Sequence, residues 1–199
     1  MYRLIKGFLL RVQKDGLGGA TMGLVHAMRR MRWRVYRLLP PIPDRGDLLE
    51  IDSDLARLAR LRRDNDALSA EYYRDVAGRC YRCCYACVDG KLAGIVWMLD
   101  SEFPSRFIGL GHNEIEIAFV HVMPDYRGRG IAKALIHRAC RMAFSSGVSV
   151  VYSIIEEANV ISQRTFEACQ FRQVGVLFRS ALFGDSYATP ASDVDGSPL

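Results

Sequence analysis

The sequence has 199 residues, which is enough for one globular domain with a well-buried core. Hydrophobic residues make up 50% of it and charged residues 25%, a globular composition that excludes a largely disordered chain and a bundle of membrane spans. The net charge of +5 is unevenly distributed, because residues 1–39 hold nine arginines and lysines and a single aspartate. We therefore expect one domain that carries a basic N-terminal extension.

Residues 1–32 are predicted to form this extension, a basic amphipathic helical leader. One side of its first turns is apolar when the segment is wound as a helix: Leu4, Ile5, Phe8, Leu9 and Val12. Contact with an anionic membrane surface and packing beside the domain as a solvated helix pair both explain such a segment. We expect a cytoplasmic protein, with peripheral membrane contact left open and no nucleic-acid partner.

The remainder predicts a mixed α/β domain over residues 33–183 and a disordered tail over residues 184–199. The elements follow from hydrophobic periodicity and from turn and cap residues. In chain order they are a strand over 33–39, helices capped by Ser53 and Ser69, strands over 80–88 and 92–99 joined by an Asp89-Gly90 turn, a strand over 114–122, a helix over 130–145, a strand over 148–155, a helix over 159–169 and closing strands over 173–182.

Four cysteines are closely spaced, at Cys80, Cys83, Cys84 and Cys87. The residues between them are typical of a strand, and a strand directs Cys80 and Cys84 to one face and Cys83 and Cys87 to the other. The four thiols then cannot converge on one ion, so no metal site is expected.

A glycine-bearing loop joins a strand that ends at Pro124 to a helix that begins near Gly130. Such a loop directs several backbone N–H groups and the positive end of the helix dipole at one point, which suits a diphosphate. Gly128 and Gly130 allow close approach of the main chain, and Arg127 and Arg129 add positive charge. The segment has neither the Lys-[Ser/Thr] of a nucleotide-hydrolysing loop nor a full dinucleotide-binding glycine pattern.

The run Arg127-x-x-Gly130-x-Ala132 resembles the Q/R-x-x-G-x-G/A motif of the GNAT acetyltransferases. The run from Asn159 to Phe171 is similar to the family's second signature, and the resemblance covers roughly residues 47 to 180. It implies a GNAT-like acyl-CoA N-acyltransferase fold, acetyl-CoA as co-substrate, and a splayed strand pair that admits the pantetheine arm. The coenzyme-binding residues it implies are Val120, His121, Val122, Arg127, Gly128, Arg129, Gly130, Ile131, Ala132, Asn159, Ser162 and Phe166.

Two positions depart from the second signature. Phe166 occupies the place where many members have a tyrosine that protonates the leaving thiolate, and Gln170 replaces a glycine. Because a phenylalanine has no proton to donate, no general acid is assigned.

The general base is predicted from the strand Glu114–Val122. Its carboxylates at Glu114 and Glu116 share one face of an otherwise apolar strand, where burial is costly unless they face a cleft or a partner. Glu116-Ile117-Ala118-Phe119 resembles the E-I-x-F strand that carries the base in related acetyltransferases, and partial burial is expected to raise its pKa. Glu114 is the second candidate. His121 points to the opposite face in a regular strand, and a β-bulge would reverse that.

Three functions are compatible with these residues. The preferred one is transfer of an acetyl group to a primary amine of a small molecule, such as an amino sugar or sugar nucleotide, by direct attack in a ternary complex. The second is acetylation of a protein lysine or N-terminus. The third is a non-catalytic module that binds acyl-CoA or nucleic acid. The sequence identifies neither the acceptor nor the oligomeric state.

Overall fold

The computed structural model places part of the chain in two compact units. One is Val35–Gln173, and the described parts of the other are residues 31–34, 174–180 and 184–188. The predicted leader lies outside the described residues, and so does the helix predicted from Ser69, apart from Tyr72. The residues that the structure describes are 31–41, 50–63, 72, 82–102, 107–180 and 184–188.

The observed elements confirm the predicted α/β fold class. In chain order they are β1 (Met31–Leu38), β2 (Glu50–Asp52), α1 (Leu55–Arg63), β3 (Arg82–Val88), β4 (Lys91–Leu99), β5 (Glu114–Val122), a 3-10 turn (Pro124–Tyr126), α2 (Ile131–Ser145), β6 (Val150–Glu156), α3 (Val160–Ala168), β7 (Arg172–Ser180) and β8 (Gly184–Ala188). The sequence prediction missed β2, because three residues carry no readable periodicity and their strand character comes from pairing with β3.

The larger unit contains a mixed sheet with neighbouring strands in the order β2-β3-β4-β5-β6. The first four strands are antiparallel to their neighbours, and β6 runs parallel to β5. The β3–β4 turn was predicted at Asp89-Gly90, where both residues have positive φ, 51° and 73°. This is the backbone twist that a two-residue hairpin loop requires.

The two faces of this sheet bury different cores. Helix α2 covers one face with residues that include Leu135, Ile136 and Ala139, and helix α1 covers the other with Leu58. The cysteines of β3 follow the same division, since Cys84 belongs to the α2-side core while Cys83 and Cys87 belong to the α1-side core. The predicted alternation of these thiols is therefore confirmed for the three that the structure describes.

The cap of α1 differs from the prediction. Asp54, and not Ser53, begins the helix, because its Oδ1 accepts the Ala56 N–H at 2.8 Å and its carbonyl accepts the Leu58 N–H at 3.0 Å. The Ser53 N–H instead donates to Asp52 Oδ1 at 2.6 Å, in a turn that precedes the helix. Ser53 and Asp54 are both residue types that commonly cap helices, so the sequence alone did not determine which of them is the N-cap.

The smaller unit contains the hairpin of β7 and β8. These strands pair antiparallel from Val176↔Ala188 to Ser180↔Gly184. The predicted disordered tail was therefore wrong for Gly184–Ala188, because backbone pairing with β7 forms a strand that the polar composition did not indicate. In the same unit the Arg32 guanidinium lies 5.3 Å from the Phe178 ring centroid. No helix among the described residues is long and apolar enough to cross a bilayer.

Candidate active site

Strands β5 and β6 separate partway along their length. Their parallel ladder runs only from Glu114↔Val150 to Glu116↔Tyr152, although β5 continues to Val122 and β6 to Glu156. One side-chain bond bridges the strands just beyond the last pair, from Ser153 Oγ to the Ile117 carbonyl at 3.0 Å. Among the described residues, the parallel ladder does not continue beyond that point, which is the separation that the predicted splayed pair requires.

A β-bulge interrupts β5 immediately after the separation. Phe119 has φ +53°, and the register with β4 shifts between Trp97↔Ala118 and Ile95↔His121, so that one extra residue lies on β5. The extra residue returns His121 to the face that Glu116 occupies. The opposite orientation expected for a regular strand is thereby overturned, and the bulged alternative is the one observed.

The two candidate carboxylates have different surroundings. Glu116 is 4% exposed and lies at the last rung of the parallel ladder, opposite Tyr152. Glu114 is half-buried, and its Oε2 accepts the Gly111 N–H at 2.7 Å while its Oε1 lies 3.5 Å from the Tyr152 hydroxyl. Glu114 is thus occupied in holding the loop before β5, whereas Glu116 lies where the strands open.

His121 forms the second part of this face. Its ring is tilted 54° against the Tyr72 ring, with the centroids 4.5 Å apart, and the Trp97 indole N–H fixes the Tyr72 carbonyl at 2.7 Å. Burial lowers the pKa of His121, and the nearby Arg127 lowers it further. The imidazole is therefore neutral at pH 7. Tyr72 and Tyr152 were not predicted as site residues, because only tertiary packing brings them to this face.

The loop between β5 and α2 has the backbone geometry that the sequence predicted. Gly128 and Gly130 both have φ +77°, and a Cβ on either would meet no atom within 4 Å. Gly130 is the N-cap of α2 and has no side-chain cap, so the N–H groups of the first helical turn point into the same open space. Backbone N–H groups at the start of a helix, facing open space, are a common arrangement for binding a phosphate group.

The two arginines of this loop have distinct contacts. Arg127 Nε donates to the Val122 carbonyl at 3.1 Å, which fastens the loop to the end of β5. The Arg129 guanidinium lies 5.4 Å from the Tyr126 ring centroid. Both side chains are exposed and remain near the loop as positive charge.

The residues of the second signature lie on and around α3. Asn159 is the N-cap, and its Oδ1 accepts the Ser162 N–H at 3.1 Å, so its amide NH₂ remains as a donor. Phe166 is 3% exposed and packs edge-on against Phe171 at 5.0 Å, deep in the α2-side core. Gln170 has φ +69°, which explains why a glycine is common at that position in the motif.

A splayed parallel pair, a bulged strand and a glycine-lined helix start together define an acyl-CoA-binding transferase fold. A family model described as "Acetyltransferase (GNAT) family" matches residues 46–171, which is more than half of the sequence. The chain belongs to the GNAT family, as the motifs predicted.

Individual relatives are distant. An N-acetylaspartate synthetase from Xenopus tropicalis is 28% identical over 107 residues, covering 54% of this chain and 36% of that protein. A GNAT-family acetyltransferase from Colwellia psychrerythraea superposes with a TM-score of 0.56 at 14% identity, covering 89% of this chain and 63% of that one. A GCN5-related N-acetyltransferase from Sphaerobacter thermophilus gives 0.53 at 15% identity, covering 86% and 57%. This chain thus spans about a third of the curated relative and about three-fifths of these structures, whose likeness shows the fold.

Proposed function

We propose that the protein is an acetyl-CoA-dependent N-acetyltransferase that acetylates a primary amine of a small molecule. The observation that carries this proposal is the position of Glu116, a buried carboxylate at the point where β5 and β6 separate. An acyl donor lying along the open edge of β5 would bring its reactive end close to a base.

The chain has a surface for each part of the coenzyme. The N–H groups from Gly128 to Ala132 would hold the diphosphate, and the backbone of Val120–Val122 would pair with the extended arm. The Asn159 amide is a further donor at the start of α3. Bound acetyl-CoA supplies the acetyl group as an activated thioester.

Glu116 accepts a proton from the amine nitrogen as that nitrogen attacks the acetyl carbon. Neutral His121, on the same face, is positioned to hold or relay that proton through a water molecule. Phe166 has no proton to give, so the departing sulfur takes its proton from solvent.

Direct transfer to the amine is favoured over a covalent acyl-enzyme. All five cysteines that the structure describes are buried: Cys83, Cys84, Cys87, Cys140 and Cys169. Burial raises the pKa of the Cys87 and Cys140 thiols, which keeps them protonated and poorly nucleophilic. Direct transfer requires that the amine and the acyl donor are bound together.

The charge on the reacting face favours a cationic amine as acceptor. Glu114 and Glu116 place two carboxylates on this face, and the sequences of β5 and β6 contain no arginine or lysine. Amino sugars and polyamines fit this charge. Aspartate is a further candidate, because the Xenopus tropicalis relative is an N-acetylaspartate synthetase.

The test is release of CoA thiol from acetyl-CoA in the presence of amino sugars, polyamines, amino acids including aspartate, and short peptides. We expect a small amine to accelerate release far above the rate without acceptor, and Glu116→Gln to abolish most of that acceleration. Faster release with peptides would assign the chain to the protein acetyltransferases. Tight coenzyme binding with no amine-dependent release would favour a non-catalytic acyl-CoA-binding module.

A further inference from the structure

A cavity lies on the α2 side of the sheet, opposite the face that carries Glu116. It has a volume of about 600 Å³ and lies between the C-terminal half of α2 and the adjoining ends of β3, β4 and β5. Met98, Ile115 and Met142 contribute its apolar lining, and all three belong to or contact the α2-side core. Ligand-binding pockets typically have volumes of about 300–1,000 Å³.

The polar lining of this cavity is strongly cationic. Among the described residues, its lining contains three guanidinium groups, from Arg82, Arg138 and Arg141, and one carboxylate, from Asp100. Arg82 Nη1 donates to Ser146 Oγ at 3.3 Å, and Ser146 Oγ donates to the Ala143 carbonyl at 2.8 Å. These two hydrogen bonds connect the start of β3 to the end of α2 and hold the Arg82 guanidinium at the cavity wall.

Two of these cations have no acidic partner among the residues that the structure describes. Neither Arg82 nor Arg138 forms an ion pair with a residue in the described part of the chain. Arg138, Arg141 and Ser145 recur at helical spacings of three and four, so they project from one side of α2 into the cavity. A group of cations held around an apolar floor is a binding arrangement for an organic anion.

Arginines near the C-terminus of α2 are also favoured by the negative end of the helix dipole, but this effect explains only some of the arginines around the cavity. The dipole effect is confined to about the last turn of a helix, and Arg138 lies about two turns before Ser145. The cavity is also separate from the glycine loop, because its lining on α2 begins at Arg138, about 10 Å along the helix from Ile131 at 1.5 Å per residue.

We propose that this cavity binds a small phosphate monoester. The phosphate lies between Arg82, Arg138 and Arg141, whose charge suits a dianion, and the organic portion contacts Met98, Ile115 and Met142.

The test is calorimetric titration of the full chain with mono-n-butyl phosphate in the presence of saturating dephospho-CoA, which keeps the diphosphate proposed to bind the glycine loop and has no phosphate monoester of its own. We expect measurable binding, weaker binding of inorganic phosphate and of butyrate, and none of n-butanol. The double variant Arg82→Gln/Arg138→Gln should lose at least about tenfold in affinity, since each arginine contributes a charged hydrogen bond. Arg60→Gln, which removes an exposed arginine from α1, should bind like the wild type.

Three results would overturn the proposal: no binding of butyl phosphate once dephospho-CoA is saturating, unchanged affinity in the double variant, or an equal loss in Arg60→Gln. Stronger binding of butyrate than of butyl phosphate would overturn the assignment to phosphate esters. The single variant Arg138→Gln is expected to fold, because Arg138 is exposed. It replaces the double variant in the test if the double variant does not fold. In that single variant an unchanged affinity likewise contradicts the proposal.

Discussion

The two halves of β5 have opposite properties. Glu114–Glu116 pairs with β6, and Ile115, Glu116 and Ile117 are buried. Ala118–Val122 pairs with β4 alone, contains the bulge, and is half-buried throughout. Glu116 lies at the boundary and is paired on both sides, with Leu99 and with Tyr152.

This difference shows how one strand can serve two purposes. The first half holds a carboxylate rigidly, because both neighbouring strands fix its backbone. The second half lies beyond the last rung shared with β6, where the proposed coenzyme arm would pair with its backbone. Substitutions on either side of the boundary should therefore have different consequences.

The largest expected effect is at the boundary itself. Glu116→Gln keeps the shape of the side chain and removes its basicity, so kcat should fall by about 10²–10⁴ at neutral pH while coenzyme affinity barely changes. The acidic limb of the pH–rate profile should also disappear in this variant, because that limb reports ionisation of the general base. Steady-state kinetics across pH and a separate measurement of coenzyme binding check both expectations.

Glu114→Gln is the matched control, because Glu114 holds the Gly111 N–H and lies on the fully paired side. It should lower kcat much less. An equal or larger loss in Glu114→Gln would transfer the base to that residue, and an unfolded Glu116→Gln protein would make Glu116 structural.

The next effect concerns the ligand that the open half of β5 is expected to bind. Gly130→Val fills the space in front of the α2 N-terminus, so the dissociation constant for CoA should rise about 10- to 100-fold through loss of charged hydrogen bonds. Positive φ at Gly130 adds backbone strain, so a control with the same strain is needed. Gly90→Val supplies it, since Gly90 has φ +73° and equally open surroundings.

Titration calorimetry on both variants separates the two causes. A similar loss of CoA affinity in Gly90→Val would mean that strain, and not the phosphate cradle, accounts for the result.

A third substitution tests how closely β4 supports the bulged half. A Cβ on Gly94 would lie 3.0 Å from the His121 carbonyl, 3.1 Å from Leu135 Cδ1 and 3.2 Å from Ile131 Cγ2. Gly94→Ala should therefore lower the free energy of unfolding by about 1–3 kcal/mol through overpacking. Urea denaturation measures it, with Gly109→Ala as control because a Cβ there meets nothing within 4 Å. Equal stability of the two variants would show that the His121 backbone and its neighbours shift to accommodate the new Cβ without a measurable cost in free energy.

The smallest effect is expected from the charge state of His121. Its pKa in the folded chain is lowered by burial and by Arg127, whereas in the unfolded chain it is near its ordinary value of about 6.5. The unfolded state therefore binds the proton more readily, so stability is retained above that pH and declines as the pH falls below it. His121→Gln should reduce this decline. The measurement is the urea midpoint of the wild type and of His121→Gln at pH 8 and at pH 5. If the two proteins lose the same stability between these pH values, His121 is solvated in the folded chain and its pKa is not lowered.

Features determined by contiguous residues were predictable from the sequence. The Asp89-Gly90 turn, the bounds of β5 and the glycine loop before α2 were all predicted, because turn chemistry, alternation and helix-start residues act over a few positions. The family motif lies in one such stretch, so it too was readable. The sequence also indicated two carboxylates on one strand face.

Only the tertiary structure decided how these pieces combine. The bulge that returns His121 to the Glu116 face depends on pairing with β4, and the end of the β5–β6 ladder depends on how two distant segments diverge. Tyr72 and Tyr152 join the Glu116 face from separate elements, and the arginines of the cavity beside α2 likewise come from both β3 and α2. Such contacts depend on long-range packing and carry no local periodicity, which is why a single sequence specifies the loop and the strand but not the site that they form.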